Sequence, residues 1–491
     1  LVPFLVDEAL PGDTFSVEAT LFARLATPLF PIMDNLYLDT FYFSVPYRML
    51  WSNWEKFCGA QTDPDDPTDY LIPQNEAPAV TGWEVGTLGD YFGLPLGIPD
   101  LAVSALPFRA YNLIWNEWFR DQNLQDSLTV PLGDGPDTDA TFALERRAKR
   151  HDYFTSCLPW PQKGPGVEIL IGGSIPISGI GKENQTWDTD GKNVYETGQT
   201  ATVNYAHYRE INPVSANYKF FVEEDPDNAG FPGIFANLED AITINSLRQA
   251  FQLQRMYEKD ARGGTRYIEV VKAHFNVTSP DLRAIRPQYL GGRSTSVNIS
   301  PIQQTSSTDG EATPLGNLAA MGSVASLREG FHHSFTEHCV VMGLMMVRAD
   351  LTYQQGLERM WSRRTRFDLY WPALAHLGEQ AVLNKEIFTQ GTSADDEVFG
   401  YNERWAEYRY KPSKITGLMR SGVVGTLDAW HLAQEFADLP TLSNAFIIES
   451  PPVDRVIAVP AQPHFLFDSY IKARCVRPMP MYSVPGLVDH F

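Results

Sequence analysis

The sequence predicts a mainly β protein whose antiparallel sheets are joined by long loops that contain helices. Three observations predict it. Large apolar and aromatic residues alternate with period two in Leu36–Val45, 35 prolines and 36 glycines punctuate the 491 residues, and the apolar runs are short and scattered along the whole length. Length alone suggests about three domains, although long insertions within one core serve equally well. With 43% hydrophobic and 20% charged residues, core size is not limiting.

Leu36–Val45 places Phe41, Phe43 and Val45 on one face of a strand and Thr40, Tyr42 and Ser44 on the other. Leu36 and Leu38 add apolar bulk to the second face, so the strand is expected to be covered on both sides, by this chain or by a second copy. Next comes a helix over Phe108–Asn123, in which Phe108, Tyr111, Trp115, Trp118 and Phe119 recur at helical spacing as one aromatic stripe. From Gly166 to Leu238 the composition shifts to Gly, Asn, Thr, Asp and Pro and the periodicity weakens, which reads as a surface excursion. A second helix begins near Ser246, with Leu247, Phe251, Gln254 and Tyr257 along one side, and reaches Gly263. Thr265 can cap a third, carrying Tyr267, Val270, Val271 and His274, which ends in Asn276–Pro280. The two form a helical hairpin expected over a sheet or along a subunit contact. Further strands are expected at Val167–Ile171, Cys339–Leu351, Phe399–Tyr410, Ile447–Val459 and Phe465–Val476, with a Ser- and Thr-rich loop at Gln303–Thr313.

Bulk properties exclude several classes. The longest apolar run, Cys339–Val347, is far short of the ~20 residues that a helix needs to cross a bilayer, so no membrane insertion is expected. Leu1–Val6 lacks a basic flank and runs into Asp7 and Glu8, unlike a secretory signal. Cysteines at 58, 157, 339 and 475 are too far apart for a disulfide framework or a zinc site, and reduced thiols in cytoplasm are the expectation. A net charge of −21 argues against a surface built mainly to grip phosphate, so any DNA contact must be local.

Candidate chemistry is sparse. The run His332, His333, Glu337, His338 misses the spacing of both zincin motifs and places at most two imidazoles on one strand face, so these histidines are expected at a sheet edge or subunit contact. Asp188, Asp190, Asn193 and Glu196, like Asp63, Asp65, Asp66 and Asp69, lack the EF-hand spacing and read as solvated turns. No Walker loop, GxGxxG or GxSxG occurs, and no carboxylate pair is singled out, so neither catalytic residues nor metal ligands nor cofactors are assigned. The strongest charge signal is Arg359, Trp361, Arg363, Arg364 and Arg366, four guanidiniums around an indole in an acidic chain. That mixture suits single-stranded nucleic acid, through phosphate contacts and base stacking, or bidentate pairing with carboxylates across subunits. Arg146, Arg147, Lys149 and Arg150 are a weaker candidate, expected as the solvated face of a helix.

Five long blocks carry a family resemblance: TPLFPIMDNLYLDTFYFSVPYRMLWSNW (Thr27–Trp54), ARGGTRYIEVVKAHFNVTSPD (Ala261–Asp281), RADLTYQQGLERMWSRRTRFDLYWPALAHLGEQAVLNKEIF (Arg348–Phe388), FGYNERWAEYRYKPSKITG (Phe399–Gly417) and QPHFLFDSYIKARCVRPMPMYSVPG (Gln462–Gly486). They resemble the major capsid protein of gokushoviruses, small icosahedral phages of the microvirus group with single-stranded DNA genomes. About Gly166–Leu238 does not share the likeness. The resemblance implies an eight-stranded antiparallel jelly roll, a viral β-sandwich, divided as 1–165 (first part of the core with a helical loop), 166–238 (variable insertion forming a threefold protrusion) and 239–491 (helical hairpin and remainder of the core). It implies a structural protein and no enzyme, forming a T=1, 60-copy shell around circular single-stranded DNA in the virion, assembled in a bacterial cytoplasm. The implied partners are the genome, a small basic DNA-associated protein, a pilot protein and a host surface receptor. So acidic a shell would need metal ions, polyamines or that basic protein to neutralise its DNA. A secreted β-rich carbohydrate-binding or carbohydrate-active protein is the competing class, suggested by aromatic and acidic content alone.

Overall fold

The computed structural model describes residues 1–67, 69–167, 244–278, 285–306 and 315–479, with the backbone of four two-residue strands at 177–178, 180–181, 221–222 and 235–236. Two compact units are present, Gln162–Lys259 and the remainder of the chain. In the larger unit eight strands form two four-stranded antiparallel sheets: β1 (Val2–Ala9), β2 (Thr14–Leu25), β3 (Leu36–Pro46), β4 (Gln288–Ser296), β5 (Asn298–Gln303), β6 (Leu318–Ser334), β7 (Cys339–Ala349) and β8 (Phe465–Val476). The first sheet has the order β1-β7-β3-β4 and the second β5-β6-β2-β8. The protein is mainly β, with antiparallel sheets packed face to face.

Alternation explains the packing. In β2, Phe15, Val17, Ala19, Leu21, Ala23 and Leu25 are buried while Glu18, Thr20, Phe22 and Arg24 are exposed. Phe15, Val17, Ala19 and Leu21 meet Tyr42 and Val341 of the first sheet and Phe331 of the second in one cluster between the sheets, while Ala23 and Leu25 join Leu36 and Leu38 in another. β3 is covered on both faces, as its sequence predicts, and this chain supplies both covers. Tyr42 faces the second sheet, whereas Phe43 and Val45 join the core beneath α1 (Leu106–Ile114). Phe108, Tyr111 and Trp115 are buried there, and the Phe119 ring meets that of Phe41 edge-on at 5.0 Å. The aromatic stripe is thus a core face, each fully buried ring contributing about 1.5–3 kcal/mol. After α1 the chain runs on through one π-helical turn, Trp115–Phe119, shorter than the helix expected to Asn123.

The strands expected at Leu36–Val45, Cys339–Leu351 and Phe465–Val476 are β3, β7 and β8. Two others need correction. The strand at Val398–Glu403 stops because Trp405 adopts a left-handed φ of 70°, its ring buried and its Nε1 donating to the Leu374 carbonyl (3.0 Å), and a helical turn Ala406–Arg409 follows. Over Ile447–Val459 only isolated bridges form, at Ile448 and Ile457, since Pro451 and Pro452 have no N–H to donate to a ladder. Arg146–Arg150 is not helical, and it is not a solvated face: Arg147 lies 3.6 Å from Asp39 and over the Phe41 ring, and Lys149 is buried.

The second and third helices are α2 (Ile244–Arg262) and α3 (Tyr267–Phe275), the latter closed by Asn276 at φ 56°. No residue of α3 is fully buried, and only Ala261 of α2 is. In the smaller unit Ile177–Ser178 pairs with Phe235–Ala236 and Ile180–Gly181 with Phe221–Val222. The strand expected at Val167–Ile171, the carboxylates at 188–196 and most of the loop at 303–313 lie outside the described residues.

Candidate functional site

Three of the sequence candidates, Arg359, Trp361 and Arg363, line a cavity of about 500 Å³. Its floor is built by extended chain. Tyr353 bridges Gln434 and Gln355 bridges Phe388, which lays Gln354–Glu358 alongside the helical turn Asn384–Ile387. The approach is close enough that a Cβ on Gly356 would sit 2.0 Å from the Glu386 carbonyl oxygen. One wall is the 3₁₀ turn Arg359–Ser362 and the other is Glu407–Thr416.

Charges inside are mostly matched. Arg359 donates to Glu386 Oε1 (2.9 Å) and to the Ala381 carbonyl (2.8 Å), while Tyr153 donates to Glu386 Oε2 (2.7 Å). Burial raises the Glu386 carboxyl above the ordinary carboxylate range, against the pull of Arg359. Arg363 reaches Glu407 at 3.3 Å and lies over the Tyr408 ring at 4.5 Å. Lys414 pairs with Glu358 at 2.7 Å, and Arg420 donates to the Gln354 carbonyl. Lys411 also lines the cavity, so five cations face three carboxylates.

The structure therefore divides the sequence candidates. Arg359, Trp361 and Arg363 line the cavity, Trp361 with its indole 69% exposed, whereas Arg364 and Arg366 lie outside it on the surface. Arg359 and Arg363 pair within the chain, with Glu386 and Glu407. Lys411, Lys414, Arg420, Tyr408 and Tyr410 complete the cavity and were not singled out by sequence. The interleaving of rings with cations in Arg404–Lys414, the same mixture as in Arg359–Phe367, was the available signal. The two cations in excess of the carboxylates, with the exposed rings, suit a ligand that offers both negative charge and a flat π-face. His338, by contrast, lies parallel to the Tyr47 ring at 6.5 Å and edge-on to Trp54 at 5.3 Å.

Titratable groups near and beneath this region make alkaline stability predictable. Burial lowers the Lys149 ammonium to about 8, where it donates to Gln434 (3.0 Å) 4.3 Å from the Phe446 ring. Burial pushes the Cys157 thiol well up and that of Cys339 up to about 12. Above about pH 9 the unfolded chain has released both thiol protons that the folded chain keeps, whereas the folded chain alone has released that of Lys149. On these three groups the folded state then holds one proton more. Tyr42, Tyr47, Tyr111, Tyr153 and Tyr353, raised by burial, likewise keep protons that the unfolded chain begins to lose toward pH 10, so stability should fall by more than about 1.4 kcal/mol per pH unit between pH 9 and 10. Lys149→Met should steepen the fall by about a further 1.4 kcal/mol per unit, read by urea unfolding of the unassembled, reduced chain. An unchanged slope would contradict the assignment.

The family model described as capsid protein (F protein) matches residues 1–487. The capsid protein VP1 of Bdellovibrio phage phiMH2K is 45% identical over 503 aligned residues, covering 100% of this chain and 93% of that protein. The capsid protein VP1 of Chlamydia phage 1 is also 45% identical, covering 99% of this chain and 92% of its own length. That of Spiroplasma virus 4 is 38% identical with the same two coverages. The carbohydrate-active alternative has no counterpart in these matches.

Proposed function

This chain belongs to the phage capsid protein (F protein) family, a structural component of the virion and not an enzyme, and from that premise we propose that its copies close into a T=1 icosahedral shell around a circular single-stranded DNA genome. The observation that carries the reading is similarity along the full chain, in order, to capsid proteins of phages. Two facing four-stranded sheets support the finer inference of an eight-stranded jelly roll. Among the described residues no helix is long and apolar enough to cross a membrane.

We assign DNA contact to the cavity. Trp361, Tyr408 and Tyr410 offer stacking faces worth about 1–3 kcal/mol per base, and Lys411, Lys414 and Arg420 with Arg359 and Arg363 supply a local positive field. Arg364 and Arg366 belong to this site only if the strand continues over its rim. The rest of the packaged charge falls to a small basic protein or polyamines, because each copy adds −21. Lys411→Glu with Lys414→Glu and Trp361→Ala should give assembled particles whose nuclease-protected DNA drops at least about tenfold. Full-length DNA in normal amount would contradict the assignment.

Host attachment is assigned to residues 166–238, motivated by their turn-rich composition. Particles deleted for this stretch should assemble yet fail to adsorb, and normal adsorption would rule the assignment out.

A further inference from the structure

Two exposed surfaces of the larger unit carry opposite charge, and each is apolar enough to need a cover. Residues 61–100 hold eight carboxylates and no Lys, Arg or His. Leu71, Val80, Val85, Leu96 and Ile98 stand exposed among them, the first three by more than 80%. Among the described residues, Lys56 with Asp66 at 3.6 Å is the ion pair of this stretch.

The second surface is a ridge outside the cavity. Phe367, Leu369, Tyr370, Trp371 and Leu377 are each about half exposed, beside the guanidiniums of Arg366 and Arg404 and next in sequence to exposed Arg364. Arg366 lies over Phe367 at 4.8 Å and Arg404 over Trp405 at 4.6 Å, and among the described residues none of the three makes an ion pair. The ridge is also stiff. Asp368 Oδ2 accepts from the amides of Arg364 (3.0 Å) and Thr365 (2.7 Å), the Trp371 indole donates to the Arg366 carbonyl (2.8 Å), and the Tyr370 ring meets Trp405 edge-on at 5.7 Å. Exposed rings and arginines, already held in place, are the composition and preorganisation of a binding hot spot.

We infer that the basic, aromatic ridge at 364–377 of one copy docks on the acidic, aliphatic surface at 61–100 of the next. The occupant follows from charge. A ridge meeting its own twin would set arginines against arginines, whereas ridge against acidic surface pairs them and buries apolar atoms from both sides. Such a contact joins two different patches, so it runs head to tail and closes into rings when its rotation permits, as a shell requires. The inference rests on the shell reading above.

The test is a charge swap in the full chain, scored against wild-type particles by sedimentation. Arg364→Glu with Arg366→Glu, and separately Asp65→Lys with Glu84→Lys, should each cut the assembled fraction at least about tenfold. All four together should return it to within about threefold of wild type. A folding defect in either pair would add in the combination and not cancel, so recovery reports the contact itself. No recovery, or normal assembly with either pair alone, overturns the inference; normal shells lacking DNA from the arginine pair would assign the ridge to nucleic acid instead. Failure of the unmodified chain to form particles would instead overturn the shell reading, and the contact with it.

Discussion

Replacing Arg109 by Met should cost the folded chain about 3–5 kcal/mol. Its side chain is fully buried in α1 and spends its donors on four acceptors: both oxygens of Asp137 (2.7 and 2.8 Å) and the carbonyls of Leu50 (2.9 Å) and Gly133 (3.0 Å). Asp137 is itself only 6% exposed and Leu50 is fully buried, so the substitution strands a buried carboxylate and the Leu50 carbonyl. Taking both charges away, as Arg109→Met with Asp137→Leu, should recover most of the loss, because a buried pair is worth little against apolar packing of similar volume. Urea unfolding of the unassembled chain measures both. A loss below about 1 kcal/mol for the single variant would mean that water reaches Asp137.

Gly330→Ala should be comparably damaging, at about 2–5 kcal/mol, for a reason that lies in the backbone. Gly330 has a φ of +149°, and a Cβ there would stand 2.0 Å from the carbonyl oxygen of Val17 on the neighbouring strand. The position follows an irregularity in the β6–β2 register, between Ser326 and Glu329, where Arg328 turns left-handed at φ 54°. That bulge brings Glu329 inward, to accept from Ser326 at 2.6 Å and from Tyr42 at 3.4 Å between the sheets. Pushing β6 away from β2 therefore strains the ladder and exposes this buried carboxylate together. Hydrogen exchange should show the loss concentrated in β2 and β6, and a stability within about 0.5 kcal/mol of wild type would refute the close approach.

What could be read from sequence, and what could not, follows from how each element is buried. β3, β7 and β8 were legible because their cores are Phe, Val, Met and Tyr, residues that declare a pleated surface. β4 and β6 were not. Their Gly, Ala and Ser exist so that neighbouring chains can approach, as at Gly292, where a Cβ would meet the Thr40 carbonyl oxygen at 2.2 Å. β2 alternates cleanly from Phe15 to Leu25, so its signal was present in the sequence. At the cavity, Arg359, Trp361 and Arg363 were visible as an anomaly of charge, but their partners Glu386 and Glu407 are 27 and 44 residues away and carry no local signal. Nor could sequence separate Arg364 and Arg366 from them, since the 3₁₀ turn at Arg359–Ser362 and the next at Arg366–Asp368 send neighbours in the chain to different surfaces.

Electron microscopy of the purified full chain tests the central claim most directly: that these sheets and loops bury their remaining apolar surface against identical copies. Uniform closed spheres with icosahedral symmetry and sixty copies each are the predicted result. A monodisperse monomer that never forms shells under virion-like conditions would contradict it.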